Sequence, residues 1–212
     1  MVRSRIFIAD DHELVIEAFH KLLESDFDVV GTATDGFSLL KAAPPLKPEV
    51  ILLDLAMPLL NGLEAGQQLK SIMPAIKLVF VTMNEDPDIA REAMRKGASG
   101  YLLKSSGREE LFQAIRLALK GGSYVSARIA KGMEEAFIRD PKARDTGKTL
   151  TSRQREVIQL LAEGKSMKEA ADVLKVTVRT IAFHKYKVME TLGVKNTASL
   201  IQFAIYNHIL IG

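Results

Sequence analysis

Five short apolar runs, each followed by a stretch with helical spacing, constrain the first part of this chain more than any other feature. The runs are Arg5–Ala9, Asp28–Ala33, Val50–Leu55, Leu78–Thr82 and Gly100–Leu103. Most are rich in Val, Ile, Leu and Phe and lack period-2 alternation, as strands buried on both faces do. Between them apolar positions recur at helical spacing, as in Leu14-Val15, Ala18-Phe19 and Leu22-Leu23. Asn61-Gly62 and Ser106-Gly107 mark the starts of the third and fifth helices. Five strands alternating with five helices predict an α/β fold with a doubly wound, five-stranded parallel sheet.

The character of the chain then changes twice. Ile129–Ile138 has helical potential, but Asp140 to Lys148 holds turn residues and charges without an apolar period, which reads as a flexible linker. The remainder is all helical, at about 152–163, 167–174, 178–192 and 196–207, with Thr151 as a candidate N-cap and Gly164 as a C-terminal stop. The expected organisation is an α/β domain over 1–126, a linker over 127–148 and a small all-α four-helix domain over 149–212.

Charge follows the same division. The formal charge of +3 hides 14 basic against 17 acidic residues up to residue 126, and 9 against 5 from residue 151 onward. A basic tail suits a polyanionic partner. The absence of cysteine excludes a disulfide scaffold, a thiolate zinc site, an iron–sulfur cluster and a cysteine nucleophile. No apolar run approaches the roughly 18 residues that span a bilayer. Ile6–Ala9, ahead of two aspartates, is too short for a signal-peptide core. A cytosolic protein without a membrane partner is expected.

In an open α/β sheet, ligands sit beyond the carboxyl ends of the strands. The polar residues there are Asp10 and Asp11 after the first strand, Asp54 near the end of the third, Thr82 after the fourth and Lys104 after the fifth. Singly, each has a plainer role: a turn aspartate, a β-branched strand residue, a surface lysine. Together they aim three carboxylates, a hydroxyl and an ammonium at one volume. Three carboxylates without a cation repel and raise one another's pKa. A hard divalent cation with oxygen ligands relieves this, and Mg²⁺ suits a site that keeps some water. A carboxylate beside such an ion can attack phosphorus to give an acyl phosphate, with Lys104 holding a phosphoryl oxygen.

These positions, with Asp54-Leu55-Ala56-Met57-Pro58-Leu59-Leu60-Asn61-Gly62, Val81-Thr82-Met83 and Gly97-Ala98-Ser99-Gly100-Tyr101-Leu102-Leu103-Lys104, resemble the receiver domain of two-component response regulators, a flavodoxin-like fold. The resemblance covers residues 5–120. It implies that Asp54 accepts phosphate from a sensor histidine kinase. It also implies that Asp11, Asp54 and the Ala56 carbonyl bind Mg²⁺, with Asp10 acting through water. Thr82 and Tyr101 become a switch pair, the hydroxyl moving to the phosphoryl group and the ring turning inward behind it. Many receivers carry Pro after the lysine; here Ser105 follows it.

In the tail, Met167–Leu174, a short turn and Val178–Leu192 read as a helix-turn-helix. On the longer helix Ile181, His184, Val188 and Leu192 form an apolar stripe. Arg179, Ala182, Phe183 and Tyr186 occupy the opposite side, with Lys185 and Lys187 beside them. Cations that neutralise phosphates, flanking side chains that reach base edges, suit a major groove. Leu150-Thr151-Ser152-Arg153-Gln154-Arg155-Glu156-Val157, Val178-Arg179-Thr180-Ile181-Ala182-Phe183-His184 and Leu192-Gly193-Val194-Lys195-Asn196 resemble the LuxR-type DNA-binding domain. Receiver plus this tail is the architecture of the NarL/FixJ class. The resemblance implies that Ala182, Phe183 and Tyr186 face bases, while Arg179, Lys185 and Lys187 touch backbone or base edges. It implies that 196–207 pairs two protomers on double-stranded DNA, and that RNA polymerase is among the partners.

Three positions depart from that family: Lys175 where a turn Gly is usual, Ala170 in place of a larger aliphatic, and Met167 where Asn is common. The expected function is a phosphorylation-controlled transcription regulator in bacteria, with no catalytic role beyond turnover of its own phosphate. One alternative is a haloacid-dehalogenase-like phosphatase, which needs a second Asp two residues after the nucleophile, where this chain has Ala56. The other is a receiver whose tail binds protein through Phe183 and Tyr186, or that works without phosphate.

Overall fold

The computed structural model describes residues 3–139 and 150–206. They fall into two units that divide near Pro141.

In the first unit the apolar runs become strands β1 (Arg5–Ala9), β2 (Asp28–Ala33), β3 (Val50–Leu53), β4 (Lys77–Thr82) and β5 (Gly100–Leu103). Every pairing is parallel, and the sheet order is β2-β1-β3-β4-β5, extended by β6 (Tyr124–Val125) beyond β5. The strand order reverses between β1 and β3, which opens a crevice at their carboxyl ends. Strand β3 is buried at all four positions, and β4 at all but its first, so these strands could not show an in–out alternation.

Helices α1 (Glu13–Leu23), α2 (Gly36–Leu46), α3 (Gly62–Ile72), α4 (Pro87–Arg95) and α5 (Arg108–Leu119) cover the sheet. Their starts are chemically marked. The Asp35 carboxylate accepts from the N–H groups of Phe37 and Ser38, Asn61 accepts from Glu64 N–H, and Asp86 accepts from Asp88 N–H ahead of Pro87. Each satisfies donors that an α-helix leaves open at its first turn. On one face of the sheet, Ile6, Ile8, Leu52, Val79, Val81 and Leu102 pack with Phe112 and Ile115 of α5 and Leu23 of α1. Each such side chain contributes about 1.5–3 kcal/mol on burial.

Two features differ from the sequence expectation. The sheet has six strands, because β6 is too short to display any period. The larger difference is α6 (Ala127–Arg139), which occupies residues expected to begin a linker. Ile129 is buried, and a Cβ at Gly132 would sit 3.1 Å from Cγ of Pro87, the first residue of α4. Arg128 Nη2 lies 2.7 Å from Glu85 Oε2 in the loop before α4. Residues 127–139 are therefore a helix packed on the first unit. Residues 140–148, the rest of the expected linker, lie outside the described residues, as do 207–212.

The second unit is four helices: α7 (Ser152–Ala162), α8 (Met167–Leu174), α9 (Val178–Leu192) and α10 (Thr197–Tyr206). Capping boxes open α7 and α8, pairing Thr151 with Gln154 and Ser166 with Glu169. Met167 is thus the first helical residue and not the cap, so its departure from the family pattern costs no capping bond. Leu150, Ile158, Val188, Leu200 and Ala204 form the core, and Ala170, Leu174 and Ile181 are buried as well. Arg153 ties α7 to the end of α8, donating to the Leu174 carbonyl at 3.0 Å while pairing with buried Glu156 at 2.7 Å. Among the described residues no helix is long and apolar enough to cross a membrane.

Candidate functional site

Asp10 and Asp54 follow β1 and β3 at the crevice, and both are almost fully buried, at 2% and 3% exposure. Lys104, just past β5, bridges them: its Nζ lies 2.7 Å from Asp10 Oδ2 and 2.8 Å from Asp54 Oδ2. The other Asp54 oxygen accepts from Leu55 N–H at 2.7 Å. Burial alone would pull the Lys104 pKa down. The hydrogen bonds and charges of the two aspartates outweigh it and hold the ammonium above the usual lysine range. The cluster thus carries an internal cation among its carboxylates, and Lys104 reaches the site as expected.

Asp11 is more exposed and turns toward His12. The ring Nδ1 of His12 lies 2.8 Å from Asp11 Oδ1 and 3.3 Å from Asp10 Oδ1, and the His12 backbone N–H donates to Asp10 Oδ1 at 3.0 Å. Donor atoms of Asp10, Asp11 and His12 lie within 4.8 Å of one another, close enough to share a metal ion. Asp54 is held by Lys104 instead. Two hard carboxylates and an imidazole fit a divalent cation. Sequence reasoning missed His12, and its signal was its place directly after the acidic pair.

The loop from Asp54 to Gly62 runs behind the cluster, with half-buried Ala56 within it. It depends on two backbone features. Leu59 is left-handed, with φ 68°. A Cβ at Gly62 would collide with the Asp54 carbonyl, so the start of α3 approaches the end of β3 as closely as only glycine allows.

Thr82 and Tyr101 are joined through a residue that the sequence did not single out. Asn84 N–H donates to Thr82 Oγ1 at 3.2 Å, and the Tyr101 hydroxyl donates to the Asn84 carbonyl at 3.0 Å. The Tyr101 ring is fully buried, so it already faces inward. Burial, then the charges of Asp86 and Asp54, push its hydroxyl pKa far above the ordinary tyrosine value.

In the second unit, Ser166 to Leu192 form a helix-turn-helix whose turn passes through left-handed Lys175, φ 53°. On α9, Ile181 and Val188 point into the core, while Arg179, Phe183, Tyr186 and Lys187 are exposed and Ala182 and Lys185 half-buried. His184 is half-buried, meeting the Phe183 ring edge-on at 5.5 Å. Lys185 Nζ sits 5.6 Å from the Tyr186 ring centre, and Lys187 pairs with Glu190 at 2.8 Å. Every residue expected to meet DNA thus lies on α9, outside its buried stripe.

The strand order and the lysine-bridged aspartates place the first unit among receiver-type domains, and the second is a helix-turn-helix module. Comparison with known families gives the same division. The family described as "Response regulator receiver domain" matches residues 6–116, and "Bacterial regulatory proteins, luxR family" matches residues 148–204. The chain is 34% identical to the oxygen regulatory protein NreC of Staphylococcus aureus, over 97% of this chain and 99% of that one. The RcsB response regulator of Salmonella typhimurium is 28% identical and superimposes with a TM-score of 0.66, over 96% of this chain and 97% of that one. RcsB of Salmonella enterica serovar Typhimurium bound to promoter rprA in the presence of phosphomimetic BeF3- aligns with a TM-score of 0.60 at 28% identity, over 94% and 98% of the two chains. The chain belongs to the DNA-binding response regulators of two-component systems, in the NarL/FixJ class. That membership sets aside the dehalogenase-like alternative and the tail that binds protein in place of DNA.

Proposed function

We propose that Asp54 is the phosphoacceptor and that its modification controls DNA binding by the second unit. The observation that carries this is the Lys104 bridge, which puts an ammonium 2.8 Å from an almost fully buried Asp54 carboxylate at the carboxyl edge of the sheet. In the transfer, an Asp54 oxygen forms a bond to phosphorus while the N–P bond of the sensor kinase's phosphohistidine breaks. Lys104 then exchanges its Asp54 contact for a phosphoryl oxygen. By the family resemblance Asp11, Asp54 and the Ala56 carbonyl would hold a divalent ion, with Asp10 acting through water; His12, whose donor atom lies close to those of Asp10 and Asp11, could add a ligand. Mg²⁺ held there would offset charge on the phosphoryl group. The same apparatus lets the domain turn over its own phosphate, a self-directed activity and no metabolic one.

Thr82 is the first group to respond. Its hydroxyl can donate to a phosphoryl oxygen, which alters the bond it now accepts from Asn84 N–H. Asn84 also holds Tyr101, so the loop before α4 feels the change. Phosphorylation would shift an existing equilibrium between two arrangements of this loop.

The working division is a receiver over about residues 1–126, a connecting segment over 127–148 whose first part, α6, packs on the receiver, and a DNA-binding domain over 149–212. Arg179, Ala182, Phe183, Lys185, Tyr186 and Lys187 meet the duplex, and α10, which exposes Ile205, pairs two copies. RcsB occurs as dimers bound to DNA, which supports a homodimer here. A chromosomal target places the protein in the bacterial cytoplasm, where it can contact RNA polymerase.

Incubation with acetyl phosphate and Mg²⁺ tests the acceptor assignment. One acid-stable, hydroxylamine-labile phosphate per chain is expected, and none in Asp54→Asn. Retention of the label in that variant would sink the assignment.

A further inference from the structure

Three of the seven large hydrophobic side chains exposed among the described residues lie on α9: Val178 at 43%, Phe183 at 64% and Tyr186 at 59%. Residues 179, 182, 183 and 186 share one side of a helix by their spacing. That side is poor in groups able to read bases by hydrogen bonding. Arg179 brings a guanidinium and Tyr186 a hydroxyl, but Ala182 and Phe183 have no polar side-chain atom at all.

A phenyl ring in the major groove discriminates by two effects. Against the exposed edge of guanine, adenine or cytosine it displaces water and returns no hydrogen bond. Against thymine it meets the C5-methyl, the single apolar group that the major groove displays. The ring is also partly fixed before binding, since His184 meets it edge-on at 5.5 Å, which lowers the cost of holding it in place. Its charged neighbours are arranged to leave this contact decisive. Lys187 is tied to Glu190 at 2.8 Å, and Lys185 leans over the Tyr186 ring, so neither is poised as a dedicated base reader.

We infer that Phe183, with Ala182 beside it, is a specificity-determining residue that reads a thymine methyl group in each half-site. The inference rests on the assignment of α9 to the major groove. It adds the chemical group recognised: an apolar methyl in place of a hydrogen-bonding edge.

The test uses the full chain, phosphorylated with acetyl phosphate, and a random duplex library. Selected sites should carry thymine at one or more fixed positions per half-site. Each such thymine is then replaced by deoxyuridine, which removes the methyl alone. At the Phe183 position affinity should fall about threefold to fivefold, the scale of one buried methyl. In Phe183→Ala that penalty should vanish, while penalties at other positions persist. Phe183 is exposed and outside the core, so its truncation leaves the fold intact. An equal deoxyuridine penalty in wild type and Phe183→Ala, or no penalty at any selected thymine, overturns the inference even if binding is normal. If Phe183→Ala and Arg179→Ala both leave affinity and selected sequence unchanged, the placement of α9 in the groove is what fails.

Discussion

The Tyr101 hydroxyl donates to the Asn84 carbonyl across 3.0 Å while Asn84 N–H donates to the Thr82 hydroxyl at 3.2 Å. One residue therefore links Thr82 and Tyr101, the proposed switch pair. Tyr101→Phe removes the upper bond and keeps the buried ring, so it should cost only about 1 kcal/mol of stability. Phosphorylation of Asp54 should proceed at an unchanged rate, and the gain in DNA affinity on phosphorylation should shrink. Filter binding with and without acetyl phosphate reads the second effect; an undiminished gain would show that Asn84 carries no signal.

The same residue makes an alkaline prediction. Burial raises the Tyr101 pKa in the folded protein. Below the ordinary tyrosine value of about 10 both states hold the proton, and no pH dependence arises. Above it the unfolded chain ionises first, so stability falls as pH rises toward the folded value. By absorbance the Tyr101 hydroxyl should ionise above the ordinary tyrosine range, and that component should be missing in Tyr101→Phe.

Lys104 is the cation on which two buried aspartates depend. Replacing it by Met leaves Asp10 and Asp54 without their shared partner, which should cost about 3–5 kcal/mol. Its raised pKa means that this contribution is complete below the ordinary lysine value and lost only as pH climbs through the folded one. The gap between wild type and Lys104→Met should therefore stay constant across the neutral range and close in strong alkali. Added Mg²⁺ should raise the melting temperature of the variant more than that of wild type, because the ion supplies the missing charge. Equal shifts would mean that the ion does not bind beside these aspartates.

The contrast between what could and could not be read from the chain follows physical lines. Buried parallel strands announce themselves as apolar runs, so β1 to β5 and the residues at their ends were legible. Strand β6 is two residues long, shorter than any period. Helical spacing over Ile129–Ile138 suggests a helix, but does not tell that it packs on the first unit, where Ile129 is buried and Gly132 lets α6 approach Pro87. The positions of Asp54, Lys104, Thr82 and Tyr101 were legible as motif residues. His12 had a signal, its place directly after the acidic pair, whereas Asn84 had none, because it works through its backbone groups. Glu64 is the same kind of case, a helix carboxylate that turns out to be buried and paired with Lys96 at 3.0 Å.

Gly62 tests how tightly the acceptor loop is drawn. Its missing Cβ is what lets α3 approach the Asp54 carbonyl, and Gly62 N–H donates to the Leu55 carbonyl at 2.9 Å. Gly62→Ala should destabilise the first unit by about 1–3 kcal/mol through overpacking. It should also slow labelling of Asp54 by acetyl phosphate, since the displaced carbonyl belongs to that residue. A variant that labels at the wild-type rate would show that the loop can retreat without disturbing the carboxylate.

Lys175 offers a test with the opposite sign. It closes α8 in a left-handed conformation, with φ 53° and ψ 45°, where a Cβ is penalised and glycine is not. Its N–H donates to the Asp172 carbonyl at 3.3 Å and Val176 N–H donates to the Ala171 carbonyl at 3.0 Å, bonds that a glycine would keep. The side chain is exposed, so its loss uncovers no core. Glycine gains freedom in the unfolded chain, which offsets part of the relief. Lys175→Gly should still stabilise the second unit by up to about 1 kcal/mol, seen as a higher melting temperature. Nonspecific DNA affinity should fall slightly with the lost charge, and the salt dependence should flatten only if Lys175 touches a phosphate. A lower melting temperature in Lys175→Gly would contradict the strain that the left-handed backbone implies.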